Sequence, residues 1–91
     1  MPTISWFYGI AIRIFFNDHA PPHFHASYGD DEVLLTIETG EVLRGELPPR
    51  ALRLVRAWAL MYRADLMANW ERAQARPRKP IEKIPGLDAK Q

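Results

Sequence analysis

The 91-residue sequence contains no cysteine, which excludes disulfide bonds, cysteine-ligated zinc and thiol catalysis. It has no marked excess of either charge: the formal net charge is +1, so no overall basic field favours nucleic acid. No apolar run is long enough to span a bilayer, and the N-terminus lacks the pattern of a signal peptide. We therefore expect a cytoplasmic protein with a single core and no membrane association.

Apolar and polar residues alternate along the first half of the chain, which predicts an antiparallel β-meander of about four strands. These strands span residues 10–16, 23–28, 33–38 and 41–47. Short connections containing glycine, asparagine, aspartate or proline join them and favour antiparallel neighbours. The apolar stretch 4–8 fits either a further short strand or an arm on the core.

The register of the meander follows from matching apolar residues across the strands. This matching places Ala26 between Ile14 and Leu35 on the face that a helix must cover. On the opposite face, His25 lies between Phe15 and Thr36. In the same register His23 lies opposite Glu38.

Helical spacing of apolar residues begins after Pro48-Pro49 and continues to about Ala75. The apolar set rotates after Arg63, so we expect a long helix that bends or breaks near residues 62–65, with Asp65 as a candidate N-cap. The sequence thus predicts an α+β fold, with the meander packed on this long, bent or broken C-terminal helix. A single domain over residues 1–80 precedes an extended, partly disordered C-terminal arm over residues 81–91.

All three histidines lie in the proline-containing stretch 17–26, and three interpretations of them remain open. In the structural one, the polar side chains satisfy backbone groups of a loop. In the second, His19, His23 and His25 bind a metal ion, with Asp18 as an alternative third ligand. The sequence does not show that three ligands converge, so we predict no cofactor.

The third interpretation is metal-free cleavage of RNA. His23, His25 and Glu38 supply the acid and base, and Arg13 stabilises charge on the phosphate. Phe15 is a candidate for stacking a base, with Tyr28 as the alternative if the register differs. Asp18 and His19 extend this binding surface, which lies on the face away from the helix.

Six short segments carry a resemblance to a known family. They are Pro2-Thr3-Ile4, Phe7-Tyr8-Gly9-Ile10, Phe16-Asn17-Asp18-His19, Pro21-Pro22-His23-Phe24-His25, Leu47-Pro48 and Asn69-Trp70. Over nearly the whole chain up to about Glu82, the sequence resembles the small bacterial proteins of domain-of-unknown-function family 4160. The resemblance implies no established activity. Family members are often encoded beside a second small protein, an arrangement that resembles a toxin–antitoxin pair.

This resemblance implies a protein that acts through a protein partner encoded nearby in a two-gene module. One expected role is a ribonuclease-type toxin, with RNA as a candidate partner. The alternatives are a non-enzymatic module that neutralises the partner and a histidine-ligated metal-binding protein. Leu60 and Met67 lie off the main apolar stripe of the helix, a pattern that favours a contact surface or an oligomer.

Overall fold

The computed structural model describes residues 3–16 and 18–88, and over these residues the chain is an α+β domain. Five strands are followed by two helices. The strands are β1 (Thr3–Phe7), β2 (Ile10–Arg13), β3 (His23–Tyr28), β4 (Asp31–Thr36) and β5 (Val42–Gly45), and the helices are α1 (Pro49–Met61) and α2 (Arg63–Gln74). Asn17 and the frayed end expected at residues 89–91 lie outside the described residues.

The strands form one antiparallel sheet in the order β1-β2-β3-β4-β5, so the predicted meander is confirmed. The predicted number of about four strands is too low by one, because the stretch around Ile4 forms β1. A hairpin joins β1 to β2 through Tyr8 and Gly9, whose φ angles are 51° and 81°. Positive φ at both central residues matches the twist of paired strands, which explains how so short a turn starts the sheet.

The register differs from the predicted one by two residues on both sides of β3. Ala26 pairs with Ile12 and Val33. The cause at the β3–β4 turn is its length: Tyr28 pairs with Asp31 across a two-residue turn, whereas the prediction used a four-residue loop. Because a two-residue shift preserves the faces, the predicted division of the sheet into an apolar and a polar face is unaffected.

The shift does change the neighbours of the histidines. His23 pairs with Thr36, so its predicted position opposite Glu38 is wrong. His25 pairs with Arg13 and Leu34 and does not lie between Phe15 and Thr36. Glu38 is exposed in the turn after β4.

The core lies between the apolar face of the sheet and α1. Trp58 is fully buried there, with its ring centroid 5.4 Å from that of Phe7 and 6.0 Å from that of Phe24. Buried side chains of the sheet and of α1 meet there, among them Phe24, Ala26, Val33, Leu35, Ile37, Val55 and Trp58. Phe16 and Leu54 are half-buried at the margin of this core.

The predicted break in the helical region is present, and it divides the region into two helices. Tyr62 separates them, with φ −115° and ψ 28°, outside the α-helical range. Asp65 therefore lies in the first turn of α2 and does not cap it. The break lets each helix direct its own apolar face inward. Neither helix in the described part of the chain has the length and hydropathy of a membrane span.

After α2 the chain returns along the outer side of β1. The backbone N–H of Ile84 donates to the carbonyl of Ile4 at 2.7 Å, and the Trp58 indole donates to the carbonyl of Pro85 at 2.8 Å. Ile84 itself is buried. Residues 81–88 are thus held on the domain by backbone contacts as well as by an apolar side chain.

Candidate functional site

A polar cluster lies where β3 begins, on the sheet face away from α1. His23 and His25 share this face because side chains alternate along a strand. The loop before β3 folds back so that Asp18 lies over both imidazoles. Gln74 of α2 donates from Nε2 to the Asp18 carbonyl at 3.1 Å, which ties this loop to the helix.

One carboxylate oxygen contacts both histidines. Asp18 Oδ2 lies 2.9 Å from His23 Nε2 and 3.2 Å from His25 Nε2. The other oxygen, Oδ1, accepts the backbone N–H of His19 at 2.9 Å. One potential ligand atom from each of Asp18, His23 and His25 lies within 4.8 Å of the others. The loop and the strand therefore bring two imidazoles and a carboxylate to a single point.

Burial raises the pKa of Asp18, but several interactions lower it by more. They are the hydrogen bond from His25, the backbone N–H of His19 and the charge and hydrogen bond of His23. The pKa of this carboxyl consequently lies below its ordinary value of 3.8. Asp18 is therefore a carboxylate at neutral pH and offers a negative charge to any group that enters the site.

Aromatic rings enclose the two imidazoles, whose residues are only 6% and 8% exposed. The Phe15 ring lies 4.1 Å from the His25 ring, between centroids, and the Trp70 ring of α2 lies 5.3 Å from the His23 ring. These rings limit the access of water, which strengthens electrostatic interactions inside the site.

The Nδ1 atoms of the two imidazoles, which are the nitrogens that do not face Asp18, have different surroundings. His23 Nδ1 lies 2.8 Å from the Pro21 carbonyl oxygen, to which it donates. His25 Nδ1 is buried and has no hydrogen-bond partner among the described residues. The nearest carboxylate oxygen, Glu32 Oε2, is 3.5 Å from it. This distance is beyond the usual range of a hydrogen bond, so the nitrogen is left close to a partner but unpaired.

The structure brings together some of the residues singled out from the sequence and leaves others apart. Phe15, Asp18, His23 and His25 meet, whereas the His19 side chain is exposed and outside the cluster. Arg13 is the cross-strand neighbour of His25, with its guanidinium bonded to Ser27 Oγ at 3.2 Å. Within the described part of the chain, Glu38 makes no hydrogen bond or ion pair with the cluster.

Sequence reasoning missed two residues of the site, Glu32 and Trp70. Glu32 pairs with Ser27, so alternation in the correct register would have placed it on the histidine face. Trp70 reaches the site from α2 through tertiary packing, for which periodicity gives no signal. The pair Asn69-Trp70 within the family resemblance was the available indication.

Comparison with known proteins gives one match. The model of a family described as a domain of unknown function (DUF4160) matches residues 9–71. The matched range contains every residue of the cluster and both helices as far as Glu71. No curated protein and no solved structure matches the chain.

Proposed function

The chain belongs to the DUF4160 family, and from the geometry of its site we propose that it binds a divalent transition-metal ion such as zinc. The ligands are Asp18 Oδ2, His23 Nε2 and His25 Nε2. The observation that carries this proposal is the approach of two imidazole nitrogens, at 2.9 and 3.2 Å, to one carboxylate oxygen. Imidazole and carboxylate are common ligands of zinc and of other first-row divalent ions.

The distances from Asp18 Oδ2 to the two Nε2 atoms are close to those found around a shared ion. Zinc–nitrogen and zinc–oxygen bonds of about 2.0–2.2 Å place neighbouring ligand atoms of a tetrahedral site about 3.4 Å apart. The two observed separations from Asp18 Oδ2 are shorter than this by a few tenths of an ångström. Small rotations of the side chains would therefore open the cluster enough to admit the ion.

The hydrogen bonding of His23 supports the same conclusion. The Pro21 carbonyl can only accept, so His23 Nδ1 carries a proton. Nε2 faces the Asp18 carboxylate, which at neutral pH also only accepts. Two arrangements satisfy these contacts: a proton on Nε2 that bonds to Asp18, or an Nε2 lone pair directed at a metal ion that Asp18 Oδ2 also binds. The second arrangement is the usual one in metal sites, where a carbonyl holds the far nitrogen of a ligating histidine.

The unpaired nitrogen of His25 is explained in the same way. If Nε2 binds a metal ion, Nδ1 carries the proton and can donate it to Glu32, whose carboxylate lies 3.5 Å away. A carboxylate behind a metal-bound histidine orients the ring and makes it a better ligand. The proposal therefore gives a role to a buried nitrogen for which the described residues supply no hydrogen-bond partner.

Metal-free acid–base catalysis receives less support from this geometry. A general acid or base must reach the substrate directly or through one water molecule. The Nε2 atoms of both histidines face Asp18, and the Nδ1 atoms are bonded to a carbonyl or buried. Glu38, the other candidate base, lies in an exposed turn. With three ligands from the chain, a bound zinc ion would instead take a fourth from solvent or from another molecule.

The test is a measurement of metal content and affinity on the full chain without a histidine tag. Elemental analysis gives the metal bound after purification, and calorimetry follows zinc added to protein treated with a chelator. Absorption after cobalt substitution reports the coordination geometry. The test variant is His25→Gln, and the matched control is His19→Gln, which removes an exposed imidazole from the same loop.

We expect stoichiometric zinc binding that His25→Gln weakens at least tenfold and His19→Gln leaves unchanged. Melting curves of both variants, recorded without metal, separate a loss of the ligand from a loss of the fold. Equal weakening by the two substitutions would contradict the proposed ligands. Wild-type protein that neither retains metal nor melts at a higher temperature with zinc would contradict metal binding itself.

A second proposal concerns a protein partner. Leu60 and Met61 are 68% and 64% exposed at the end of α1, and adjacent exposed apolar side chains are typical of contact surfaces. Met67, which the sequence grouped with Leu60, instead packs against the core. We propose that this exposed pair contacts a protein partner. That the partner is encoded nearby in a toxin–antitoxin-like module is what the family resemblance implies.

Co-expression with the neighbouring gene product tests this second proposal. Growth arrest by this chain alone, relieved by the neighbour, identifies a toxin, and RNA integrity during arrest tests ribonuclease activity. Arrest by the neighbour, relieved by this chain, identifies the neutralising component. Leu60→Asp should abolish co-purification, while Leu43→Asp places the same charge at an exposed leucine of β5 as a control. The absence of both arrest and co-purification would contradict the module.

A further inference from the structure

A second concave site lies at the end of β3 remote from the histidines. It is a cleft of about 280 Å³ between the β1–β2 hairpin and the start of α1. Tyr28, the last residue of β3, lines it, whereas the polar cluster begins at His23. Tyr28 is five positions after His23 in the strand, a distance of about 16 Å, and the two residues lie on different faces of the sheet. The cleft is therefore independent of the proposed metal site.

The floor of the cleft is apolar. Ile10 is fully buried beneath it, Ala51 of α1 is nearly so, and Leu54 contributes a half-buried side chain. Such a floor favours a ligand with an apolar body, because a polar group placed there would lose its hydrogen bonds to water.

Two tyrosines form the walls, and both are unusually exposed for large aromatic residues. Tyr8 is 56% exposed and Tyr28 is 42% exposed. The hairpin holds the backbone of Tyr8 at a positive φ of 51°, a conformation that residues other than glycine rarely adopt. The Tyr28 ring lies against Gly9, where an added Cβ would come within 3.3 Å of it. Two aromatic rings beside an apolar floor suit a planar aromatic ligand.

The rim of the cleft is positively charged. Arg50 lines it, and among the described residues this guanidinium has no ion-pair partner. Arg50 also lies in the first turn of α1, which contains no acidic residue and has no side-chain hydrogen bond to its N-terminal backbone. An arginine at a helix start that carries no acidic side chain attracts an anion.

From this combination we propose that the cleft binds a small aromatic anion, which is one aromatic ring bearing a carboxylate or phosphate group. The ring lies against Tyr8 and Tyr28 over Ile10, and the anionic group faces Arg50. The volume of the cleft limits the size of the ligand, because about 280 Å³ is close to the lower limit of small-molecule sites. A single ring with its substituent fits this volume, and a dinucleotide does not.

The test uses phenyl phosphate and benzoate as probes and the isotope-labelled full chain as receptor. Amide resonances in two-dimensional NMR spectra locate the site and give the affinity in one titration. Inorganic phosphate supplies the charge without the ring, and benzyl alcohol supplies the ring without the charge. Arg50→Gln and Tyr28→Ala are the test variants. Arg53→Gln is the matched control, because Arg53 is exposed on α1 and does not line the cleft.

We expect phenyl phosphate and benzoate to shift the amide resonances of residues 8–10, 28 and 50–54. Both should bind at least tenfold more tightly than inorganic phosphate or benzyl alcohol. Arg50→Gln should weaken binding about tenfold or more, as loss of a charged hydrogen-bond partner does. Tyr28→Ala should weaken the aromatic anions but not inorganic phosphate. The variant spectra themselves report whether each protein is folded.

Three results would overturn the proposal. The first is no shift of these amides by phenyl phosphate or benzoate at millimolar concentration. The second is inorganic phosphate binding as tightly as phenyl phosphate, which would indicate a simple anion site. The third is Arg53→Gln weakening phenyl phosphate as much as Arg50→Gln does, which would indicate attraction by overall charge.

Discussion

Asn69 of α2 is fully buried, and its amide joins the helix to the segment that follows it. Nδ2 donates to the Glu82 carbonyl at 2.8 Å, and Oδ1 accepts the Glu82 backbone N–H at 2.9 Å. Oδ1 also accepts from Arg72 Nη1 at 2.8 Å. Asn69→Ala removes all three bonds and leaves the two backbone groups of Glu82 without partners.

The expected destabilisation can be estimated from these contacts. A hydrogen bond contributes about 0.5–1.5 kcal/mol net, and a buried polar group left unpaired costs about 1–3 kcal/mol. Glu82 and Arg72 have partly exposed side chains, so water can reach their freed groups once the segment moves. We therefore expect a loss of about 2–3 kcal/mol in the free energy of unfolding. In a domain of this size each kcal/mol lowers Tm by about 4–8 °C.

Urea unfolding measures this loss, and hydrogen exchange locates it. The N–H of Ile84, bonded to Ile4, should lose protection first because Asn69 holds the adjoining residue. Gln74→Ala is the control, since it removes a single amide-to-backbone bond from the same helix, for an expected loss of about 0.5–1.5 kcal/mol. If Asn69→Ala is no less stable than Gln74→Ala and Ile84 stays protected, the reasoning is refuted.

Three further predictions follow from the core, a turn and the polar cluster. Leu35→Ala removes a fully buried side chain and should lower the free energy of unfolding by about 2–5 kcal/mol in urea titrations. Gly45→Ala should destabilise more than Gly29→Ala: both have positive φ, but a Cβ at Gly45 would collide with the Glu32 carbonyl oxygen, whereas Gly29 faces open space. Thermal melts of the two variants give the comparison, and equal Tm values would contradict it. Glu32→Gln should weaken zinc binding about 10–100-fold in calorimetry, as loss of an outer carboxylate does. Glu38→Gln, which changes an exposed carboxylate away from the cluster, should have no effect.

The faces of the sheet could be predicted from the sequence, but the register could not. Apolar residues at every second position match equally well after a slip of two, so Ala26 finds an apolar partner in either Leu35 or Val33. The choice depends on the turn, and a two-residue turn at Gly29-Asp30 is closed by the pair Tyr28 and Asp31. Turn length, and not hydrophobic pattern, decided which side chains lie beside the histidines.

The histidine pair could also be predicted, because strand alternation alone places His23 and His25 on one face. The third residue of the polar cluster could not be predicted, because the path of an irregular loop decides whether Asp18 or His19 reaches the two histidines. The structure directs the Asp18 side chain inward and leaves that of His19 outside. Contact of Trp70 with the cluster depends on how α2 packs after the break at Tyr62, which local periodicity does not specify.

The segment bonded to β1 through Ile84 and Ile4 has a consequence for self-association. A sheet with two open edges can add strands on both sides and grow without limit. Here the β1 edge is occupied by the chain itself, and β5 is the outermost strand on the other side of the sheet. Among the described strands, β5 is the edge left for strand-to-strand pairing between copies, and two β5 edges that pair leave none of these open. Polymerisation through the sheet is thereby restricted to a pair of molecules, unless the segment around Ile84 first detaches.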